Sequence, residues 1–335
     1  MITEHESGNN NELAWVLTPG FLKVFRACGI WDELIKMGLA PDIIVGTSVG
    51  AYVGIIPASK LPITETMAQL FKQWSVKSGF PKNLTTTNGM YSNIPGMNVV
   101  KDSANVERFE QLPVKFAVVT TDIKTGQPTT FVSKPVLQNL PEYRDYQHRM
   151  ALAEYTPFAT CPSVWTTIEA SLAMPGVYQR RQINGRWYED GGMSNPVPVD
   201  VAKMLGAKRT ILIDIFSGIN PNSHPEPRLL TTMERVLLKL APHDMNLPAG
   251  LGQIYHALGI GIRQQELVGS FDRVLGTTFN SLIRASLQLH PPDVHIDVNR
   301  SLDDNSHVTY SHDTFQQAPL MMEEGRQIVE TYRSE

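Results

Sequence analysis

The chain runs to 335 residues, 42% of them apolar and 19% charged, enough to bury a sizeable core in one large α/β domain or two ordinary ones. A net charge of −4 gives no basic footprint for nucleic acid, which is not an expected partner. The two cysteines, Cys28 and Cys161, stand far apart and outside any C-x-x-C spacing, which argues against a disulfide framework and a zinc site.

The opening MITEHESGNNNE is polar and acidic, so residues 1–11 read as a flexible segment without the basic-then-apolar layout of a signal peptide. No run reaches the ~18 consecutive apolar residues of a membrane span, and no transmembrane segment is expected. The expected compartment is cytoplasmic; export by a route without a cleaved signal stays open.

LAWVLT (13–18) predicts a short buried strand. In the stretch 20–38, Phe21, Val24, Phe25, Cys28, Trp31, Leu34 and Ile35 are spaced for one face of a helix. Thr18 can cap that helix, Pro19 suits its first turn, and Gly38 ends it. Cys28 reads as a small buried apolar residue. DIIVG (42–46) is a second buried strand, and VGAYVGIIPA begins a helix directly after Ser48. Strand, helix, strand, serine, helix is a right-handed βαβ unit with Ser48 at the carboxyl end of its second strand.

Further on, 115–123 and 128–133 predict strands joined by a turn at Lys124-Thr125-Gly126. Residues 134–162, rich in Pro, Tyr and charge, read as an irregular insertion with one helix. A helix over 163–176 is stopped by Pro175 and Gly176, a helix VDVAKMLGA follows, and RTILIDIF (209–216) is a very apolar strand. The part from 217 to 335 reads as mainly helical, with apolar spacing over 228–241 and 249–289, one strand at 293–298 and a last helix at 313–333. The 249–289 helices suit packing on the sheet better than a lipid-facing lid. No repeat or low-complexity linker divides the chain, so 12–335 is expected to form a single domain around a core at 13–216.

Gly46-Thr47-Ser48-Val49-Gly50 fits the G-x-S-x-G pattern, in which glycines relieve crowding around a serine on a tight strand-to-helix turn. Backbone N–H groups of the following helix point at such a site. A serine hydroxyl needs a neighbouring base to become a good nucleophile. Asp190, in WYEDGGMSNP, is the candidate, because Gly191 and Gly192 let the chain turn sharply and bring a carboxylate into a confined place. Asp-Gly-Gly is also ordinary turn chemistry. A Ser-His-Asp esterase using a late histidine, His295, His307 or His312, is the alternative, although the α/β-hydrolase order places several strands before its serine. His295, in a strand-like run, reads as a core or edge histidine.

Four segments carry a resemblance: PDIIVGTSVGA (41–51), TTDIKTGQPTTF (120–131), EASLAMPGVY (169–178) and INGRWYEDGGMSNPVPVDVAKMLGA (183–207). Together they resemble, in order, the patatin-like phospholipases, serine acyl hydrolases related to cytosolic phospholipase A2, over about residues 13–216. The resemblance implies a three-layer α/β/α patatin-like fold with a mainly parallel central sheet and a helical C-terminal third. It implies a Ser48–Asp190 dyad, no catalytic histidine, and hydrolysis of lipid acyl esters through an acyl-serine intermediate, of the phospholipase A or lysophospholipase kind. No cofactor and no metal are implied. The expected partner is a lipid substrate at a membrane or micelle surface; a homodimer and an activating protein partner are left open.

One segment departs from the family pattern. The family carries a Gly-Gly-Gly-x-[Lys/Arg]-Gly loop after its first strand, whose N–H groups form the oxyanion hole. Here Thr18-Pro19-Gly20-Phe21-Leu22-Lys23-Val24 keeps only Gly20 and Lys23, and Pro19 has no N–H to donate. The hole is expected to be rebuilt from Gly20, Phe21 and Leu22 in the first turn of the helix, with Val49 after the serine. Lys23 is a candidate contact for an anionic head group or an exposed helix lysine. A relative that keeps the fold, binds lipid and has lost turnover is the alternative that this loop raises.

Overall fold

The computed structural model describes residues 12–20, 24–76, 97–140, 157–175, 178–216, 278–298 and 318–334. The expectations for 1–11, 228–241, 249–277 and most of the 134–162 insertion lie outside them. The chain forms two compact units, 1–217 with 282–335, and 218–281; of the second only 278–281 are described.

In chain order the described elements are β1 (Leu13–Leu17), α1 (Val24–Lys36), β2 (Ile43–Thr47), α2 (Val49–Ala58), α3 (Ile63–Val76), α4 (Met97–Ala104), β3 (Lys115–Asp122), β4 (Pro128–Phe131), α5 (Lys134–Gln138) and β5 (Phe158–Ala159). Then come α6 (Val164–Ser171), β6 (Arg181–Ile183), β7 (Arg186–Asp190), α7 (Val199–Met204), β8 (Arg209–Asp214), α8 (278–289), β9 (Val294–Asp297) and α9 (Ala318–Ser334).

One nine-stranded sheet carries all the described strands, in the order β5-β4-β3-β2-β1-β8-β9, with the β6–β7 hairpin set against β3. From β3 to β9 the neighbours run parallel, and antiparallel pairing is confined to β3–β4, β3–β7 and β6–β7. The apolar runs of β1 and β2 are buried at every position, as strands covered on both faces must be. Alternation then sorts their side chains. Leu13, Trp15 and Leu17 join a core with α1, α2, α6 and α9, while Ala14 and Val16 join a second core with α7 and Ile283 of α8. The result is the expected three-layer α/β/α arrangement.

Of the face that the spacing predicts for α1, Val24, Phe25, Cys28, Trp31 and Leu34 are buried, with Trp31 stacked on Trp15 at 6.4 Å between ring centroids, whereas Ile35 is exposed near the helix end and Phe21 lies outside the described residues. Its C-terminus closes on Gly38, whose N–H donates to Ile35 O while Leu39 N–H donates to Leu34 O. Its N-terminus differs from expectation. Pro19 and Gly20 are not helical, and the Thr18 hydroxyl does not cap α1: it accepts from Ile215 N–H at 2.8 Å and Phe216 N–H at 3.2 Å, past the end of β8. Tertiary donors have taken the oxygen that a local rule assigned to the helix.

The sheet also extends beyond what the sequence indicates. β5, two residues long, adds parallel to β4 from within the insertion, and β6–β7 form a hairpin around Asn184-Gly185.

Candidate active site

Ser48 stands between the last residue of β2 and the first of α2, with φ 55° and ψ −124°. A positive φ on a residue with a side chain costs on the order of 1–3 kcal/mol and persists only where its surroundings impose it. Here they do. A Cβ on Gly50 would lie 2.4 Å from Leu17 O, and one on Gly46 would lie 2.5 Å from Ala51 Cα, so any larger residue would push α2 off the strand ends. Ser48 N–H donates to Ser171 Oγ at 2.8 Å, and Ser171 donates in turn to Val119 O at 2.6 Å. The α6 hydroxyl thus clips the strained elbow onto β3.

β3 also brings the carboxylate. Thr47, the residue before Ser48, pairs with Val119, where β2 ends. Along the same edge of β3, β7 then takes over, placing Asp190 opposite Thr120. Two residues far apart in sequence therefore occupy consecutive steps of one strand's register. Gly191 lets the chain turn away at once, since a Cβ there would lie 2.1 Å from Val119 O.

The Ser48 hydroxyl donates to Asp190 Oδ2 at 2.6 Å, and Gly192 N–H donates to Asp190 Oδ1 at 2.8 Å. Thr121 Oγ1 donates to the Asp190 carbonyl at 2.8 Å, holding its backbone from the other side. Asp190 is 2% exposed and Ser48 6%. Burial pushes the Asp190 carboxyl up to about 7; the bonds from Ser48 and Gly192 pull the other way, and the charge of Glu189 adds to the rise. A carboxylate tuned near neutrality, with a serine proton at hydrogen-bond distance, is suited to taking that proton and returning it.

Of the other candidate residues, Val49 opens α2, where helix N–H groups have no partner within the helix. Gly20 lies beyond β1 and outside any helix, which corrects its expected place in a first helical turn. Phe21, Leu22 and Lys23 lie outside the described residues, as do His307 and His312. His295, on β9 at the end of the sheet order, bonds through Nε2 to Asp214 Oδ2 at 3.1 Å. Burial opposes its protonation, but the hydrogen bond and charge of Asp214 and the charge of Asp297 prevail, so its pKa is raised. The partner of Ser48 is a carboxylate, and the partner of His295 is a different one. Among the described residues no group of three or more His, Cys, Asp and Glu could hold a metal ion.

Several supporting residues escaped the sequence reading. Ser171 and Thr121 lie inside segments that were recognised, but only a buried small hydroxyl on a packed helix or strand marked them. Asn195 was unmarked as well: its carbonyl accepts from Thr47 Oγ1 at 3.1 Å, and its amide donates to Asp200 at 3.0 Å.

Mouse patatin-like phospholipase domain-containing protein 7 is 27% identical over 214 residues, which are 62% of this chain and 14% of that protein. Human patatin-like phospholipase domain-containing protein 6 is 26% identical over 212 residues, again 62% of this chain and 14% of that protein. An uncharacterized NTE family protein of Mycobacterium bovis is 23% identical over 219 residues, 65% of this chain and 53% of its own. The matched region is thus a small part of the mammalian proteins and about half of the mycobacterial one. The crystal structure of VipD from Legionella pneumophila aligns with a TM-score of 0.41 at 11% identity, covering 98% of this chain and 69% of that one. The family model for patatin-like phospholipase matches residues 16–203, a span that begins in β1, takes in the Ser48 elbow and the Asp190 turn, and ends in α7. Since that span is more than half of the chain, this protein belongs to the patatin-like phospholipase family.

Proposed function

We propose that this chain is a lipid acyl hydrolase of the phospholipase A or lysophospholipase kind, working through a Ser48–Asp190 dyad. The observation that carries the reading is the 2.6 Å bond from the Ser48 hydroxyl, on a strained elbow, to a buried carboxylate raised to about 7. Ser48 Oγ attacks the acyl carbonyl carbon as Asp190 takes its proton. The oxygen that becomes negative is met by backbone N–H groups at Gly20 and Val49, with Phe21 and Leu22 as further donors. The tetrahedral intermediate collapses, the ester C–O bond breaks, and Asp190 protonates the departing alcohol. Water, losing a proton to Asp190, then attacks the acyl–Ser48 carbonyl carbon, and Asp190 returns that proton to Ser48 Oγ as the acid is released. No step calls on a cofactor.

Membrane contact in this reading is peripheral, through apolar residues around the site. Among the described residues no helix is long and apolar enough to cross a membrane. The separate pairing of His295 with Asp214 speaks against a Ser-His-Asp arrangement built on His295; His307 and His312 lie outside the described residues.

Turnover of phospholipid and lysophospholipid in mixed micelles, with variants confirmed as folded, tests the reading. Ser48→Ala and Asp190→Asn are expected to lose at least ~10³-fold in kcat, and His295→Ala to stay within ~10-fold of wild type. A ~10³-fold loss in His295→Ala would favour the triad. A wild type that turns over no acyl lipid would favour the non-catalytic relative.

A further inference from the structure

The Thr18-Pro19-Gly20 segment stands where the family resemblance implies an oxyanion loop, and the Thr18 side chain ties it to the chain beyond β8. β1 and β8 pair in parallel up to Leu17 and Ile213. One step further, the Thr18 hydroxyl, fully buried, gathers Ile215 N–H at 2.8 Å and Phe216 N–H at 3.2 Å. Its own proton has two acceptors in reach, Pro19 O at 3.0 Å and Asp214 Oδ1 at 3.3 Å. Asp214 is itself fully buried, and it accepts from Phe216 N–H at 3.1 Å through Oδ1 while Oδ2 meets His295.

This knot sits directly behind the candidate donor Gly20. A Cβ on Gly20 would lie 2.1 Å from Ile215 Cγ2, so Gly20 rests on the residue whose N–H Thr18 holds. On the other side, a Cβ on Gly50 would lie 2.7 Å from Thr18 O, so the same segment presses against the first turn after Ser48. Between them Pro19 has a ring-fixed φ, which leaves few ways for the chain to run from a pinned Thr18 to Gly20.

We propose that Thr18, held by Asp214 and the Ile215 and Phe216 amides, is the positioning residue of the oxyanion segment, setting the distance between the Gly20 N–H and Ser48. The proposal rests on the hydrolase reading for its kinetic consequence, but not for its structural one. A hydroxyl that accepts two amide protons can be replaced by serine and cannot be replaced by valine, although valine has nearly the shape of threonine.

The test compares wild type, Thr18→Val, Thr18→Ser and Asp214→Asn in the full chain by two readouts. One is kcat and KM for a short-chain p-nitrophenyl ester. The other is amide hydrogen exchange over residues 13–20 and 209–216. Thr18→Val is expected to lower kcat ~10–100-fold with KM within ~3-fold, and to speed exchange in both segments. Losing one oxyanion donor outright costs ~10²–10³ and bounds the effect. Thr18→Ser should restore kcat to within ~3-fold of wild type together with slow exchange, and Asp214→Asn should fall between. Equal impairment in the valine and serine variants would overturn the proposal, because shape and not the hydroxyl would then matter. Unchanged exchange in Thr18→Val would overturn it too. Should Thr18→Val fail to fold, Asp214→Asn decides: it must speed exchange over 13–20 or the proposal falls. A wild type without esterase activity would sink the hydrolase reading, while the exchange results alone would still support or overturn the anchoring of the segment.

Discussion

At the scale of single residues, the site brings together groups that are each unfavourable by themselves. Ser48 has a strained backbone, and Asp190 has a carboxyl that burial drives toward its neutral form. Sites under functional demand hold such features at the expense of stability. The sign for Asp190 follows from linkage. Its folded pKa, about 7, lies above the unfolded value near ~3.9, so the folded chain keeps a proton that the unfolded chain releases. That contribution is fully present below pH ~4 and is lost as pH rises through about 7. Asparagine cannot ionise. Asp190→Asn is therefore expected to be more stable than wild type at pH 8.5, by on the order of 2–4 kcal/mol, with the gap closing toward pH 4. Urea denaturation at both pH values checks this, and a gap independent of pH would contradict it.

At the scale of elements, the β6–β7 hairpin delivers Asp190, and its turn is where the delivery is most exposed to change. Asn184 and Gly185 have φ of 50° and 80°, the positive pair that a two-residue turn requires. Alanine at Gly185 is expected to cost about 1–2 kcal/mol, seen as a lower urea midpoint with an unchanged slope; an unchanged midpoint would count against the turn's role. The Asn-Gly pair was a readable signal for this hairpin. It went unread because Arg181-Gln182-Ile183 and Arg186-Trp187 show little of the apolar alternation that marks a strand. β1, β2, α1 and α2 were legible because their apolar runs and spacing are set by burial against one sheet. β5 was not, since two residues cannot display a period. Thr18 was misread as a helix cap because its actual donors lie 197 and 198 residues away.

At the scale of the whole molecule, the candidate site is a product of topology. Ser48 and Asp190 are 142 residues apart, and neither local sequence says that they meet. The elbow was legible from its glycines and flanking elements. The Asp-Gly-Gly turn was ambiguous alone and gained meaning only through the family resemblance, because the register of β3 that joins the two has no signature in sequence. The central claim is that this register supplies Ser48 with a carboxylate base of pKa about 7 in place of a histidine. The most direct measurement is the rate at which a fluorophosphonate labels Ser48 between pH 5 and 9, in wild type and in Asp190→Asn. The wild-type rate is expected to rise with pH about a midpoint near 7, and the variant to be at least ~10²-fold slower with no midpoint. A variant that labels as fast as wild type, with the same midpoint, would contradict it.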